Sequence, residues 1–322
     1  MKPYNDYSAY LKNKYGTKVY RIGLDAGFTC PNRDGTKGFG GCFYCNSSGS
    51  RASYADPALT VAGQLEERIA ALKKKGAKKF IAYFQAFSNT YAPVRKLKEI
   101  YDSVLPFSDV VGISIGTRPD TVDEEKLALI SSYKKNYDVW IEYGLQSIHD
   151  KTLASINRGH GTADFPEAAR LAKRFGIRVS AHVILGLPGE TREEMLETAQ
   201  ALNEWGIDGL KIHALHILKG SLYERLYNEG KITLLGQDEY AELVCDFLER
   251  LSQDVLIQRL TGQGSREDHI APEWALDKLG TINRIEEIFA RRGSCQGCRV
   301  PSLRGREATE AIAFGLLAMT NL

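Results

Sequence analysis

The chain has 322 residues, of which 25% are charged, and a formal net charge of +2 at pH 7. A chain of this length can bury one large core, and its small net charge excludes the strong overall field that marks many nucleic-acid-binding proteins. The first residues lack the apolar run of a signal peptide, and no stretch is long and apolar enough to span a bilayer. We therefore expect a cytoplasmic protein with no membrane partner.

Short β-rich runs alternate with helical patterns from about residue 18 to residue 261. The β-rich runs cover residues 17–27, 79–87, 109–119, 138–147, 177–188, 208–218 and 254–262. Helices are predicted over residues 60–75, 92–104, 121–135, 150–157, 164–175, 191–205 and 238–252. Thr191 followed by Glu194 predicts a capping box at the start of one of them. Strand and helix in regular alternation indicate a parallel sheet or barrel.

Polar residues in these runs occupy alternate positions, and alternate residues of a strand share one face. The other positions are apolar, as expected for a face that helices cover. The polar positions are therefore predicted to face inward; they are Arg21, Asp25, Tyr83, Gln85, Ser114, Arg118, Glu142, Gln146, Ser180, His182, Lys211 and His213. A closed eight-stranded barrel is instead filled by branched apolar side chains. We predict an α/β fold in which six or seven parallel strands form a partial, open β/α barrel that holds a polar ligand at the carboxyl ends of the strands.

Three regions are predicted along the chain: an N-terminal extension (1–17), the partial barrel (18–262) and a C-terminal segment that covers the barrel or binds substrate (263–322). The tyrosines of the N-terminal extension either bind RNA or pack as a cover over the barrel; they are Tyr4, Tyr7, Tyr10 and Tyr15. The C-terminal arginines form either a phosphate-binding loop or a solvated tail; they are Arg291, Arg292, Arg299, Arg304 and Arg306.

Cys295 and Cys298 stand beside these arginines and allow three interpretations: half of a metal site, a redox pair, or two ordinary thiols. Together with His213 they are the candidate catalytic residues, and the catalytic group itself is not identified by the sequence.

Cys30, Cys42 and Cys45 lie in a glycine-rich loop after the first strand, with the spacing C-x11-C-x2-C. A structural zinc site usually has four protein ligands. Three thiolates suit an iron–sulfur cluster in which one iron keeps an open position. The alternative is a zinc or iron–sulfur staple that a fourth protein ligand completes.

This loop, with Tyr44 before its last cysteine, resembles the cluster loop of radical S-adenosylmethionine enzymes. The stretches GISIGTRPD, EYGLQSIHDKTLASINRGH and HVILGLPGET resemble the strands that follow it in the elongator-like branch of that family. RLTGQGSREDHIAPEW and ARRGSCQG extend the resemblance to the YhcC/YtqA-type group within the branch.

The resemblance implies that the three cysteines hold a 4Fe-4S cluster whose fourth iron binds S-adenosylmethionine. It implies that the reduced cluster cleaves this cofactor to a 5'-deoxyadenosyl radical, with a flavodoxin or ferredoxin as electron donor. In related oxygen-independent coproporphyrinogen oxidases, the positions of Gln146, Arg158 and His182 line the S-adenosylmethionine pocket. The full set expected to bind this cofactor is Tyr44, Gln85, Ser114, Glu142, Gln146, Arg158 and His182.

Two positions depart from the family pattern. His182 replaces an acidic residue that binds the ribose hydroxyls, and a histidine still makes hydrogen bonds. Residues 85–88 replace a Gly-Gly-Glu stretch that grips the cofactor's amine, so the gripping group in this chain is left open.

The elongator-like branch includes enzymes that modify the wobble uridine of tRNA, so the resemblance implies a tRNA partner. The expected reaction trims 5-carboxymethylaminomethyl-uridine to its aminomethyl form. The candidate substrate-binding residues are Arg118, Lys211 and His213. For Arg118 there is a second interpretation, in which it forms an ion pair with Asp120 or Asp25. Glu142 either binds the ligand or neutralises Lys211. The alternative functions are a radical enzyme on a small molecule and a non-catalytic, metal-stapled RNA-binding protein.

Overall fold

A computed structural model of the protein describes residues 2–262 and 266–300. Within them, nine strands run in chain order as β1 Val19–Leu24, β2 Lys79–Phe84, β3 Val110–Thr117, β4 Asp138–Gln146, β5 Arg178–Leu185, β6 Gly209–Ala214, β7 Ile217–Leu218, β8 Leu256–Arg259 and β9 His269–Ala271. Seven of them form one sheet in the order β1-β2-β3-β4-β5-β6-β8, and every neighbouring pair in it is parallel. The prediction of a partial, open parallel β/α barrel is confirmed.

The helices that connect these strands lie where the sequence predicts them, and three further helices were not predicted. In chain order they are α1 Tyr7–Tyr15, α2 Val61–Lys73, α3 Val94–Asp102, α4 Glu124–Ser132, α5 Asp150–Ser155, α6 Asp164–Arg174, α7 Arg192–Glu204, α8 Leu222–Asn228, α9 Gln237–Glu249 and α10 Lys278–Arg292. The predicted capping box starts α7: the Thr191 hydroxyl accepts from the Glu194 amide at 3.2 Å, and the Glu194 carboxylate accepts from the Thr191 amide at 2.9 Å. Helices α1, α8 and α10 are the unpredicted ones.

The main core lies between the outer face of the sheet and the helices. Phe80, Ile113 and Ile141 point outward from three strands and are buried, together with Leu65 of α2 and Leu97 of α3. Burial of side chains of this size contributes about 1.5–3 kcal/mol each. The apolar face of each strand is thereby covered, and the polar positions are left to the interior.

Helix α1 closes the barrel at the amino ends of the strands. Tyr7 and Leu11 pack against the inward-facing side chains of Ile81, Trp140 and Leu256. Of the four N-terminal tyrosines, Tyr4 and Tyr7 are buried and Tyr10 and Tyr15 pack in part against this end of the barrel. The packing favours the interpretation of these tyrosines as a cover, at the end of the barrel away from the carboxyl ends of the strands, and does not support a role in RNA binding.

The described part of the C-terminal arginine cluster is engaged in ion pairs with α9. Arg292 Nη1 lies 2.9 Å from Asp246 Oδ1 and 3.0 Å from Glu249 Oε1, and Arg299 Nε lies 2.8 Å from Glu249 Oε2. Arg291 pairs with Glu242. A phosphate-binding role for these three arginines is therefore not supported, whereas Arg304 and Arg306 lie outside the described residues. The predicted segment 263–322 is described only over residues 266–300.

Candidate functional site

A cavity of about 890 Å³ opens at the carboxyl ends of the strands. Pockets for cofactors and small ligands generally occupy about 300–1,000 Å³, so this one has room for more than one small group. Its wall carries Cys30, Cys42 and Cys45 together with Tyr44, Gln85, Arg118, Glu142, Gln146, Arg158, His182 and His213. The prediction that the polar strand positions face inward is confirmed for those that line this wall.

The cysteine loop is fixed to the loop that follows α5. The Asn32 amide is fully buried, and its Nδ2 donates to the Asn157 carbonyl at 2.5 Å. Gly38 and Gly159 flank its side chain, since a Cβ built on either would lie 2.5 Å from Asn32 Oδ1. Gly159 also has φ +71, a conformation that side chains other than glycine's disfavour. Small residues at these two positions let the loop close on the barrel.

Cys42 is the most enclosed of the three cysteines. Arg158 Nη1 lies 3.5 Å from its sulfur, and Asn32 Nδ2 lies 3.7 Å from it. The hydrogen bond from Cys45 holds the pKa of the Cys42 thiol well below its usual value; burial opposes this, and the Arg158 charge adds to it. This environment favours the thiolate, which is the form that binds metals.

Glu142 is the centre of a buried charge cluster at the bottom of the cavity. It is 0% exposed, accepts from Lys211 Nζ and from His182 Nε2 at 2.9 Å, and lies 3.7 Å from Arg21 Nη1. Burial, together with the Lys211 charge, lowers the pKa of His182 to about 4. The ring is therefore neutral at pH 7. Of the two predicted roles for Glu142, neutralisation of Lys211 is the one that the geometry shows.

Arg118 lines the cavity but its guanidinium is held by protein groups. Nε and Nη2 donate to the two carboxylate oxygens of Asp120 at 2.8 and 2.9 Å, and Nη1 donates to the Arg158 carbonyl at 2.7 Å. Of the two ion pairs considered for Arg118, the structure shows the one with Asp120 and not the one with Asp25. Arg118 thereby supports the backbone of Arg158.

Two predicted ligand-binding residues lie below the wall. Ser114 and Lys211 are 0% and 1% exposed, and neither lines the cavity. The polar pattern placed both on the inner face correctly, but each lies nearer the amino end of its strand than the cavity reaches. Direct contact of Ser114 with a cofactor, or of Lys211 with a substrate, is therefore not supported.

Cys295 and Cys298 lie at the opposite end of the barrel. Gln296, between them, donates to the carbonyls of Ser252 and Val255 at 2.6 and 2.9 Å, just before β8 begins, and its backbone amide donates to the Pro3 carbonyl. Both thiols are exposed and neither lines the cavity. Of the candidate catalytic residues, His213 alone is on the cavity wall, and a catalytic role for either thiol is not supported.

Ser88 and Arg259 line the cavity and were not singled out from the sequence. The Ser88 hydroxyl and Arg259 Nε are buried and have no hydrogen-bond partner within the described residues. Ser88 sits in the stretch that departs from the family's Gly-Gly-Glu, which could have drawn attention to it.

The comparisons with known proteins agree with this geometry. Residues 30–202 match the Radical SAM superfamily, and residues 207–291 match the Radical SAM C-terminal domain. This protein belongs to the radical SAM superfamily. The superfamily is one of enzymes that use a 4Fe-4S cluster and S-adenosylmethionine, and its defining match begins at Cys30.

Two relatives of this radical SAM protein match along nearly its whole length. An uncharacterised Methanocaldococcus jannaschii protein, MJ0486, is 43% identical over 91% of this chain and 91% of its own. YtqA of Bacillus subtilis, also uncharacterised, is 41% identical over 92% of each chain. The predicted YhcC/YtqA-type group is confirmed.

More distant matches point to the elongator-like branch. The tRNA uridine(34) acetyltransferase of Dehalococcoides mccartyi is 28% identical over 47% of this chain and 33% of its own length. The structure of an N-terminally truncated Elp3 from Methanocaldococcus infernus superposes with a TM-score of 0.65 at 17% identity, covering 86% of this chain and 64% of that one. At this identity the superposition shows a shared fold, and this radical SAM chain spans only part of either protein.

The side chains that line the cavity include the donor atoms that the radical SAM cofactors need. It offers three thiols from one loop, and within residues 2–262 and 266–300 no group of three or more His, Cys, Asp or Glu side chains is arranged to hold a single metal ion. Three residues on its wall have a buried polar atom without a hydrogen-bond partner among the described residues: Ser88 Oγ, Arg158 Nε and Arg259 Nε. Buried polar groups normally have hydrogen-bond partners, so these atoms indicate a polar ligand. The residues present therefore fit a cluster and S-adenosylmethionine.

No helix within the described residues is both long and apolar enough to cross a membrane.

Proposed function

We propose that this radical SAM protein modifies the side chain of the wobble uridine of tRNA, converting the 5-carboxymethylaminomethyl group to an aminomethyl group. The carbon–nitrogen bond to the carboxymethyl group would break with uptake of one water, and the two-carbon unit would leave as glyoxylate. The two electrons lost by the substrate would be balanced by cleavage of one S-adenosylmethionine to methionine and 5'-deoxyadenosine. The observation that carries the proposal is one cavity whose wall combines three cysteines of a single loop with the inward-facing polar side chains of the barrel. Its position at the open, carboxyl ends of the strands suits a substrate whose reacting group is a side chain on a larger molecule.

In this proposal Cys30, Cys42 and Cys45 hold the 4Fe-4S cluster. When bound and reduced, the cluster supplies the electron that cleaves S-adenosylmethionine. Arg158 places a positive charge beside Cys42, which stabilises thiolate ligands and resists their protonation. Phe43 and Tyr223 pack against each other with ring centroids 6.2 Å apart and keep water from this side of the loop.

His182 is proposed to bind the ribose of S-adenosylmethionine. Because the neutral ring donates from Nε2 to Glu142, its Nδ1 is left as an acceptor for a ribose hydroxyl. Glu142 is thus the positioning residue that fixes the tautomer of His182. A histidine acceptor thereby replaces the acidic residue that the family uses.

Ser88, with Gln85 and Gln146, is proposed to bind the amino-acid end of the cofactor. The Ser88 hydroxyl is an acceptor without a partner in the described residues, and it lies in the stretch where the family grips the amine. Gln85 donates to the Ser50 carbonyl at 2.7 Å, which ties the end of β2 to the cysteine loop. Tyr44 lines the same cavity beside Cys45.

Two observations on the cysteine loop and the cavity wall support tRNA as the substrate. Phe39, in the cysteine loop, is 78% exposed, and single-stranded RNA bases stack on exposed aromatic rings. Arg266 is exposed and lines the cavity, where it offers positive charge to a phosphate, whereas Arg51 pairs with Asp25 at 3.5 Å and Arg33 donates to the Asn46 and Ser47 carbonyls. The similarity to a tRNA uridine(34) acetyltransferase agrees with both.

The first test is cleavage of S-adenosylmethionine. After anaerobic reconstitution with iron and sulfide, the protein should release 5'-deoxyadenosine when dithionite and S-adenosylmethionine are added. A metal-stapled, non-catalytic RNA-binding protein would retain the cluster and release none.

The second test addresses the substrate. Nucleoside mass spectrometry of tRNA from a deletion strain should show loss of the aminomethyl-uridine products and accumulation of 5-carboxymethylaminomethyl-uridine. Unchanged nucleosides alongside intact S-adenosylmethionine cleavage would favour a small-molecule substrate. Reduced flavodoxin or ferredoxin is the proposed electron donor, and either should replace dithionite in the first test.

A further inference from the structure

The bottom of the cavity holds more positive than negative charge. Arg21, Lys211 and Arg259 lie around Glu142, which is the one carboxylate among the described residues within 4 Å of any of them. Lys211 is buried, and the two arginines are partly buried. Taking an unpaired charge out of water is costly, so this excess of positive charge indicates an anion that completes the site. At the rim, Arg266, Glu267 and Asp268 also line the cavity and carry both signs of charge.

Two of the three cations are already engaged. Lys211 donates to Glu142 and lies 4.1 Å from the centre of the Tyr83 ring. Arg21 donates to Gln258 at 3.1 Å and lies between the rings of Tyr7 and Tyr83, 5.4 and 5.1 Å from their centres. Neither residue lines the cavity. Their role is to hold the floor together.

Arg259 differs from both, because it lines the cavity and lacks an acidic partner. Among the described residues its guanidinium has one hydrogen-bond partner, His213 Nε2, and its buried Nε has none. A guanidinium carries five N–H donors, so most of its capacity remains available.

His213 positions this guanidinium. Because Arg259 donates to Nε2, His213 is neutral there and acts as an acceptor. Gly262 makes room for the ring, since a Cβ on that residue would lie 2.1 Å from His213 Nδ1. The arginine is therefore held from one side by His213, and its side chain lines the cavity.

We propose that Arg259, positioned by His213, binds a carboxylate of the substrate at the floor of the cavity. A planar guanidinium matches a planar carboxylate with two parallel hydrogen bonds. This inference rests on the proposed function, which places the substrate in this cavity. The carboxylate is the group that the carboxymethylaminomethyl side chain has and its aminomethyl product lacks. Removal of the carboxylate weakens product binding at Arg259 and aids release.

Binding of two small probes to the full-length protein tests this without turnover or tRNA. N-methylglycine and N-methylglycinamide differ only in the carboxylate, and their affinities are measured by NMR titration. The wild type should bind the carboxylate about ten- to a hundredfold more tightly than the amide, as expected for a charge-assisted hydrogen-bonded pair. Arg259→Gln should remove this preference while leaving amide binding unchanged, and Arg259→Lys should retain part of it.

Arg170→Gln is the matched control, because Arg170 is exposed on α6 and the substitution changes the net charge equally. It should keep the wild-type preference. The proposal would be overturned if the wild type bound both probes equally well, or if Arg259→Gln kept the preference for the carboxylate. It would also be overturned if inorganic phosphate competed more strongly than N-methylglycine. The two proposals can fail separately. If the carboxylate preference depends on Arg259 but tRNA from the deletion strain is unchanged, the carboxylate site is supported and the tRNA substrate is rejected.

Discussion

Arg158 joins the cysteine loop to the end of β4: its Nη1 lies 3.5 Å from Cys42 Sγ, and its Nη2 donates to the Gly144 carbonyl at 2.6 Å. One buried side chain therefore contacts both the proposed cluster ligand and the strand that carries Gln146. Its Nε has no hydrogen-bond partner among the described residues and is the atom left for a ligand.

Replacement of Arg158 should weaken both cofactor sites. We expect Arg158→Gln to lower the affinity for S-adenosylmethionine about ten- to a hundredfold, because a charge-assisted hydrogen bond is lost. Isothermal titration of the reconstituted, oxidised protein measures this, and iron analysis should show a less stable cluster. Arg158→Lys keeps the positive charge but loses the planar guanidinium, so its affinity for S-adenosylmethionine should lie between those of the wild type and Arg158→Gln. A wild-type affinity in both variants would contradict this role of Arg158.

The Glu142–Lys211 pair should be required for stability. Glu142→Gln leaves the buried Lys211 and the partly buried Arg21 without a carboxylate, and the free energy of unfolding should fall by about 3–5 kcal/mol. Denaturant unfolding of the apo protein measures it. The double variant Glu142→Gln, Lys211→Met removes the stranded ammonium and should recover much of the loss; equal destabilisation in both would show that the pair does not act as a unit.

Gly159→Ala should disturb the cysteine loop by two mechanisms, a positive φ and a Cβ 2.5 Å from Asn32 Oδ1. We expect a loss of about 1–3 kcal/mol in stability and less iron bound after reconstitution. Gly220→Ala is the matched control, since its φ is +75 and nothing lies within 4 Å of its Cβ position. The control should lose stability only from backbone strain at its positive φ, and it should bind as much iron as the wild type. Equal loss of iron in the two variants would show that the contact between residue 159 and Asn32 is not the cause.

Buried histidines should make the fold sensitive to acid. Burial, with the charge of Arg158 second, lowers the pKa of His160 to about 3, and His182 titrates at about 4. As pH falls below about 6.5 the unfolded chain binds protons that the folded chain does not, so stability is full above pH 6.5 and decreases toward pH 4. Each histidine contributes about 1.4 kcal/mol per pH unit over that range.

The variant His160→Asn isolates one of these contributions. Its unfolding free energy, measured from pH 7.5 to pH 4.5, should fall less steeply than that of the wild type by about one such increment. Identical slopes would show that His160 is not neutral in the folded protein. The ring nitrogens of His160 lie 3.2 and 3.1 Å from the Gly144 and Gly161 carbonyls. The hydrogen bond to Gly161 opposes the lowering of the pKa that burial and the Arg158 charge cause.

Most of the barrel was accessible from the sequence because two periodic signals agreed there. Strands and helices alternate regularly, and within each strand the polar positions fall on one face. Glu142 and His182 were placed inward on that basis alone. The same pattern carries no information on depth, so it did not separate His182, which reaches the cavity, from Ser114 and Lys211, which lie below it.

Arg259 escaped prediction because its strand is irregular. The register between β6 and β8 shifts, so that Leu210 pairs with Ile257 but Lys211 with Arg259. Gln258 and Arg259 consequently both reach interior partners, Arg21 and His213 respectively. A strict alternation of faces would admit only one of the two. The position of Cys295 and Cys298 depended on the long-range anchoring of Gln296, which no local pattern encodes.

The most direct test of the account is electron paramagnetic resonance of the anaerobically reconstituted, dithionite-reduced protein before and after addition of S-adenosylmethionine. Three thiolates leave one iron open, so the cofactor should bind there and shift the cluster signal. Replacement of any one of Cys30, Cys42 and Cys45 by alanine should remove that signal. A cluster whose spectrum is unaffected by S-adenosylmethionine, or one that survives the loss of one of these cysteines, would contradict the account.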